Sequence, residues 1–251
     1  MSNQPPIGVP QGAIRFNTDS QKLEFYAQDR WHEMATDVPT LDGGDRAICA
    51  GGYNAPTQRE TIDFASITTA GNFTDFGDLT ENFGYPARNT CASRTRGMIA
   101  GTGPSSGGNT INFITIASTG DAQNFGDLTY SLMQGQQCSN QTRGIFAGGY
   151  SPQPSIVNTI NFVTIAAEGN AIDFGDMILT DHYGATSNSS ATRGCLGGGW
   201  NPSGPYAGLV HETIEYIEIM SQGNAVDFGD LTESRYLLNK GCISTGHGGL
   251  G

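Results

Sequence analysis

The residue pattern in this chain most suggestive of chemistry is the tripeptide Asp-Phe-Gly, which begins at Asp75, Asp173 and Asp227. In protein kinases this tripeptide holds a magnesium ion. Here neither the His-Arg-Asp loop nor the Val-Ala-Ile-Lys strand of a kinase accompanies it. We therefore predict a structural role, in which the carboxylates after the glycine accept backbone N–H bonds at turns. The four carboxylates belong to Asp78, Asp127, Asp176 and Asp230.

Metal binding and catalysis receive little support from the other polar residues. Calcium binding by these repeated acids stays an alternative, although calcium takes six or more oxygen ligands and no Asp-x-Asp-x-Asp-Gly loop is present. The histidines share no metal-ligand spacing, and we predict no metal, cofactor or catalytic residue. They are His32, His182, His211 and His247. A glycan-degrading enzyme stays an alternative, because a catalytic carboxylate pair has no fixed spacing in sequence.

The five cysteines are odd in number, far apart and without a Cys-x-x-Cys pair. Cys91, Cys138 and Cys242 occur at one phase of an internal repeat, shortly after the three Phe-Gly-Asp-Leu-Thr segments. Equivalent positions of a repeat array are distant in space, so we predict free, buried thiols and no disulfide. Such thiols indicate synthesis in a reducing compartment. The remaining two cysteines are Cys49 and Cys195.

The composition excludes several classes of partner. A net charge of -12 and a pI near 4.5 disfavour binding to nucleic acid and to anionic membranes, both of which require lysine and arginine. No apolar stretch approaches the roughly 20 residues of a membrane helix. We see no signal peptide at residues 1–10 and predict synthesis in the cytoplasm. The 36 glycines and 11 prolines indicate many turns between short strands.

Four gapless repeats organise the chain, and they begin at Thr61, Thr110, Thr159 and Thr213. Each has a Thr-Ile element followed by a Phe-Gly-Asp element. A second element, Arg-Gly or Arg-Ala followed by apolar residues and glycines, occurs between them at Arg46, Arg96, Arg143 and Arg193. These arginines are expected to pair with carboxylates or carbonyl groups of the repeats. A period near 50 residues with this composition is typical of a propeller or a related β-array.

The Thr-Ile elements carry apolar residues on both faces. Ile111 and Phe113 point one way and Ile114 and Ile116 the other, as in a strand covered on both sides. We predict an all-β fold in which four blades of about 50 residues form a small β-propeller over residues 44–251. To close the ring, residues 46–52 would pair with a strand from residues 213–245. An open or intermolecular β arrangement is the alternative.

The N-terminal residues 1–40 follow a different pattern. Between Gly12 and Met34, apolar residues alternate around a turn at residues 17–21, which predicts a β-hairpin. An isolated two-stranded hairpin is only marginally stable, so its apolar residues are expected to anchor the protein to a symmetry mate or another protein. They are Ile14, Phe16, Leu23, Phe25 and Trp31. Residues 37–45 are the predicted linker.

Both parts of the chain resemble known families. The glycine-terminated strands in units of about 50 residues resemble kelch repeats. The combination of Asn-Thr-Ile-Asn-Phe, Asp-Phe-Gly-Asp-Leu-Thr and Thr-Arg-Gly-Ile-Phe-Ala-Gly-Gly resembles, more specifically, kelch-like repeats of bacteriophage virion proteins. Gly-Ala-Ile-Arg-Phe-Asn-Thr near the N-terminus is similar to a short element of phage tail-fibre proteins. This resemblance implies a non-enzymatic virion protein.

The expected function is that of a tail fibre or tail appendage that displays the propeller for binding to a host surface glycan or protein. A head or tail decoration protein that stabilises neighbouring subunits is the alternative. The N-terminal element would bind other virion proteins, and the chain would be a homo-oligomer in the particle. The aromatic residues after the glycine turns are candidates for a binding rim, although rings that only cover strand ends would look the same. They are Tyr53, Tyr150 and Trp200.

Overall fold

The computed structural model describes residues 8–17, 22–34, 45–54, 56–83, 89–102, 108–149, 156–180, 185–201 and 208–236. All regular secondary structure in these ranges is β-strand, arranged in five antiparallel sheets, so the predicted all-β class is confirmed. Two compact units are present, Met1–Thr40 and Leu41–Gly251. Within the same ranges no helix is long and apolar enough to cross a membrane.

The N-terminal unit is a three-stranded sheet rather than the predicted two-stranded hairpin. Its strands are β1 (Ile14–Asn17), β2 (Lys22–Ala27) and β3 (Arg30–Glu33), in that order. The alternation in β1 and β2 follows the prediction, but β3 was missed. Gln28 and Asp29 form the two-residue turn into β3 with φ angles of 51° and 58°. Two consecutive positive φ angles match the twist of a hairpin, yet neither residue is a glycine that would have signalled the turn.

The second unit contains four sheets, which we number I to IV. Sheet I consists of β4 (Arg46–Asn54), β5 (Thr57–Ser66) and β6 (Thr74–Phe83). Sheet II consists of β7 (Asn89–Ala92), β8 (Arg96–Thr102), β9 (Gly108–Thr115) and β10 (Gln123–Leu132). Sheet III consists of β11 (Gln136–Ser139), β12 (Arg143–Ala147), β13 (Thr159–Thr164) and β14 (Ile172–Asp176). Sheet IV consists of β15 (Thr186–Ser189), β16 (Arg193–Gly197), β17 (Thr213–Glu218) and β18 (Val226–Asp230).

Strands lie in each of these sheets in chain order. We call β4, β8, β12 and β16 the RG strands, β5, β9, β13 and β17 the TI strands, and β6, β10, β14 and β18 the FGD strands. The leading strands are β7, β11 and β15, which precede the RG strands of sheets II to IV. Consecutive strands pair because short connections favour neighbours in the chain.

The prediction that residues 46–52 complete the last blade is wrong, because they belong to sheet I; the part of the prediction that falls on residues 237–245 is not tested by the described residues. β4 pairs with β5, from Arg46 opposite Ser66 to Asn54 opposite Thr57, and sheet IV already has its own RG strand. Each sheet therefore contains the RG strand that precedes its TI strand in the chain, and not the one that follows it. Residues 237–245, the rest of the expected closing segment, lie outside the described residues.

The hydrophobic core consists of three layers, one between each pair of successive sheets. Ile62 and Phe76 of sheet I pack with Ile99 and Ile114 of sheet II, and equivalent clusters join sheet II to III and III to IV. Residues 111–114 of β9 and 160–163 of β13 are all buried, which confirms covered faces on both sides for the TI strands of sheets II and III, whereas β5 and β17 in the end sheets are only partly buried. Each sheet is therefore stabilised by its neighbours rather than by a core of its own.

Candidate binding surfaces

Successive sheets are joined by one set of hydrogen bonds, which is formed three times. Between sheets II and III, Gly169 N–H donates to the Phe125 carbonyl (2.9 Å) and Ala171 N–H to the Asp127 carbonyl (2.8 Å). The Asp127 N–H donates to the side chain of Asn170 (3.0 Å). Equivalent bonds join I to II and III to IV. The backbone of the Phe-Gly-Asp motif therefore forms hydrogen bonds that join successive sheets.

The glycine of this motif permits the close approach. A Cβ on Gly126 would lie 2.4 Å from the Gly169 carbonyl oxygen. A Cβ on Gly77 or on Gly175 would lie 2.5 Å from the backbone of the next sheet. No side chain fits there, and the φ angle of 146° at Gly126 is one that other residues rarely adopt. The three glycines thus have a steric reason to be present.

The predicted acceptor role of the aspartates after this glycine needs correction. It is the backbone N–H and carbonyl groups of Asp78, Asp127 and Asp176 that form the bonds between sheets. The carboxylates that accept backbone N–H bonds at this turn belong instead to Asp173 and Asp227. No group of three or more metal-ligating side chains is found among the described residues.

Three of the four RG arginines bind carbonyl groups, which are one of the two kinds of partner predicted, carboxylates being the other. Arg46 donates to the Ile116 carbonyl, Arg96 to the Ile165 carbonyl and Arg143 to the Ile219 carbonyl, each at 3.0 Å. Each guanidinium also lies over the aromatic ring of its own TI strand, at 4.4 to 4.7 Å from the centroid. Arg193 differs, because it pairs with the exposed Glu218 at 2.7 Å.

Sheets I and IV are the first and last of the series, and each exposes residues whose equivalents in the other sheets are buried between two sheets. In sheet IV, Phe228 is 53% exposed, whereas its equivalents Phe76, Phe125 and Phe174 are each 3% exposed. In sheet I, Ile67 is 72% exposed, whereas Ile165 is 1% exposed. A Cβ on Gly229 would meet none of the described atoms within 4 Å. Sheets I and IV therefore each leave an apolar face available.

The N-terminal sheet carries a second apolar face, formed by four of the five predicted anchoring residues. In β1 and β2, Ile14 lies opposite Phe25 and Phe16 opposite Leu23, so the four side chains share a face. Ile14, Phe16 and Leu23 are 61%, 59% and 43% exposed, whereas Phe25 stacks on His32 at 5.4 Å. We call this surface the N-terminal apolar face.

Trp31, the fifth predicted anchor, lies on the opposite face. It packs against Tyr26 at 5.3 Å and beneath the Arg15 guanidinium at 4.2 Å. Asn17 and Arg15 donate hydrogen bonds to Glu24, and these bonds lower the pKa of the Glu24 carboxyl group. Trp31 therefore helps to hold the three strands together, and the sequence did not single out Tyr26, Arg15 or Glu24.

Of the predicted aromatic rim, the structure describes the side chain of Trp200 alone. Its ring lies 5.3 Å from that of Tyr236, and its backbone pairs with Val210. The neighbouring Leu209 is half exposed. Tyr150 and the side chain of Tyr53 lie outside the described residues. Trp200, Tyr236 and Leu209 form a further candidate binding surface. Of these three residues, the sequence predicted only Trp200.

The predicted burial of the thiols holds for Cys91 and Cys138, which occupy equivalent positions in β7 and β11. Burial raises the pKa of the Cys138 thiol to about 12. The four described cysteines are free, but Cys49 is exposed and Cys195 half-buried. The expectation of burial is therefore wrong for these two, because Cys49 lies on the open face of sheet I. Cys242 lies outside the described residues.

The sequence also contains a match to the spacing Gly-x-Ser-x-Gly. It runs from Gly103 through Ser105 to Gly107, in residues that the structure does not describe. A serine nucleophile of this kind requires a turn from a strand into a helix. Here the pentapeptide connects β8 and β9, two antiparallel neighbours, so its surroundings do not favour a catalytic serine.

No protein-family model matches this chain, and no curated protein matches its sequence.

Proposed function

We propose that this chain is a non-enzymatic structural protein of a bacteriophage virion, namely a tail fibre or tail appendage that displays its repeat domain at the particle surface. The observation that carries the proposal is the N-terminal apolar face, which lies on a compact unit separate from the repeats. A soluble three-stranded sheet with three large exposed apolar residues on one face is typical of a surface that binds another protein. The resemblance to phage virion proteins names that partner class.

The repeat domain is the proposed display platform. We infer that its four sheets are blades of a closed, kelch-like propeller, because three successive interfaces repeat the same bonds and the fourth has both halves available. A closed ring removes exposed sheet edges. It would leave the surface around Trp200 and Tyr236 free for a host glycan or protein, since aromatic rings stack on sugars and anchor protein partners.

The test replaces two residues of the N-terminal apolar face. Phe16→Ser with Leu23→Ser should leave the protein folded, because both side chains are largely exposed, and should reduce its amount in purified particles at least about tenfold. The matched control is Ile172→Ser in β14, which removes a side chain of similar exposure, 57%, from the repeat domain. This control should be incorporated normally.

Two outcomes would contradict the proposal. Particles that contain no wild-type chain would exclude a virion protein, and full incorporation of the double variant would exclude anchoring through this face. Localisation of the wild-type chain on the head or along the tail tube would instead favour the decoration protein, whose role is to stabilise neighbouring subunits.

A further inference from the structure

Within the described part of the chain, sheet I has three strands, whereas each of the other three repeat sheets has four. In sheets II to IV a leading strand pairs with the RG strand. In sheet I the RG strand is β4, and among the described residues β5 is its only neighbour. No described strand therefore covers the other edge of β4, and proteins usually cover such an edge.

The leading strands fill a particular space in the sheet that follows them. A Cβ on Gly144 of sheet III would lie 2.7 Å from the Cys91 Sγ of sheet II, and a Cβ on Gly194 of sheet IV would lie 2.5 Å from the Cys138 Sγ of sheet III. The thiol of one leading strand thus lies over the glycine of the next RG strand. Glycine is required there because a methyl group and the sulfur atom cannot share that space.

Gly97 of sheet II is the equivalent glycine, and no described cysteine lies over it. Its surroundings are otherwise similar, with Ile114 at the place that Val163 takes beside Gly144. The thiol for this position must come from the sheet before, which is sheet I. In the repeat alignment the corresponding cysteine is Cys242.

The exception supports the same pattern. Asn188 of β15 takes the place of the cysteine in sheet IV. The RG strand of sheet I, which would follow sheet IV in a ring, has Ala47 where the other three have glycine. The leading strand that has Asn188 in place of cysteine would therefore face the RG strand that has Ala47 in place of glycine, as expected if sheet I follows sheet IV.

The chain length also fits. Nine residues, 177–185, connect the end of β14 to the leading strand of sheet IV. Nine residues, 231–239, separate the end of β18 from Lys240, which aligns with the first residue of a leading strand. The same length of chain can therefore make the same step to the next sheet.

We propose that the open edge of β4 binds Lys240–Ile243 of the same chain as an antiparallel fourth strand, with the Cys242 thiol over Gly97. Cys91 lies opposite Met98 and Cys138 opposite Ile145, which places Cys242 opposite Ile48. Gly241 then lies opposite Cys49. This inference deepens the closed ring proposed above and does not depend on the virion assignment.

The experiment uses the pair Gly241 and Cys49. Ser93 N–H donates to the Arg96 carbonyl, so the alternation of an antiparallel ladder makes Thr90 and Ile99 a non-hydrogen-bonded pair. Gly241 and Cys49 are the equivalent pair, whose Cα atoms are about 4.5 Å apart and within the range of a disulfide. Gly241→Cys should form an intramolecular bridge to Cys49 under mild oxidation, identified by mass mapping of peptides.

The matched control is Lys240→Cys, whose side chain points to the other face of the strand and should not form a bridge to Cys49. The wild-type chain should not form one either, because Cys242 shares that other face. Absence of the bridge in Gly241→Cys, or equal bridging in Lys240→Cys, would overturn the proposal. A bridge between two chains would show that a second copy occupies the edge, which would also overturn it.

A measurement on the unaltered chain avoids any effect of the substitutions. Under native conditions Cys242 should resist alkylation, as should the buried Cys91 and Cys138, because its thiol would be buried over Gly97. Replacement of Gly97 by valine fills that space and should raise the alkylation rate of Cys242 at least about tenfold. Alkylation of wild-type Cys242 as fast as in the unfolded chain would contradict the proposal. Because neither measurement involves particles, its failure is separate from a failure of incorporation.

Discussion

The thiols of Cys91 and Cys138 are buried and pack against glycines of the following sheet. The Cys138 thiol lies against Gly194, and its pKa is raised from 9.0 to about 12 by burial and, to a smaller extent, by the neighbouring Cys195. A thiol with such a pKa stays protonated at neutral pH and is a poor nucleophile. The position of Cys91 and Cys138 at the same phase of the repeat is therefore explained by their packing against glycine.

The buried thiol predicts a dependence of stability on pH. Because the folded-state pKa of Cys138 is above the unfolded value, its contribution to stability is complete below about pH 9 and is lost as the pH rises towards about 12. The difference in free energy of unfolding between wild type and Cys138→Ala should therefore shrink between pH 9 and 11, measured by urea titration. A difference that stays constant over this range would contradict burial of the protonated thiol.

The hairpins between leading and RG strands share a turn that is closed by a side-chain oxygen. In sheet III the Asn140 Oδ1 accepts the N–H groups of Thr142 (2.9 Å) and Arg143 (2.8 Å). Ser93 and Ser190 accept the equivalent pairs in sheets II and IV. Such local bonds fix the register of the hairpin, because they select one turn conformation.

Loss of this acceptor should destabilise sheet III. Asn140→Ala leaves two backbone N–H groups without their partner and should lower the free energy of unfolding by about 1 to 3 kcal/mol, measured by chemical denaturation. Asn140→Ser is the matched control, since serine performs the same task in the other two turns, and it should recover most of the loss. An equal cost for both variants would show that the turn bonds are not the cause.

The four-sheet domain gains its stability from interfaces that are repeated along the chain. Arg143 links sheet III to sheet IV through the Ile219 carbonyl, whereas the equivalent Arg193 has an exposed ion pair with Glu218. In a closed ring Arg193 would take the carbonyl of Ile67 instead. Comparison of these two arginines therefore reports on closure without reference to the C-terminal segment.

Arg143→Gln should lower the free energy of unfolding by about 2 kcal/mol or more, because it removes a charged hydrogen bond and a contact with the Phe162 ring. In the closed ring that we propose, Arg193→Gln should cost a similar amount, measured by the same denaturation. A cost for Arg193→Gln of about 1 kcal/mol or less, typical of a surface ion pair, would indicate an open array.

Much of this fold followed from spacing along the chain. The repeat period, the strands with two apolar faces and the buried phase of Cys91 and Cys138 could all be predicted, because alternation and repetition are properties of local sequence. The apolar residues at Ile14, Phe16 and Leu23 were also found in this way, since a strand directs every second side chain to one face. Each of these features requires knowledge of one strand at a time.

The remaining features depend on which groups approach through space. Spacing alone could not assign β4 to sheet I, direct Arg143 to a carbonyl of the next sheet, or show that the backbone of Asp127 and not its carboxylate forms the bond. Nor could it separate Trp31 from the other anchoring residues, because the turn at Gln28 and Asp29 has no sequence signal. Partners far apart in the chain meet only after the sheets pack, and their choice is made by the fit of Gly126 against Gly169 and of Cys138 against Gly194.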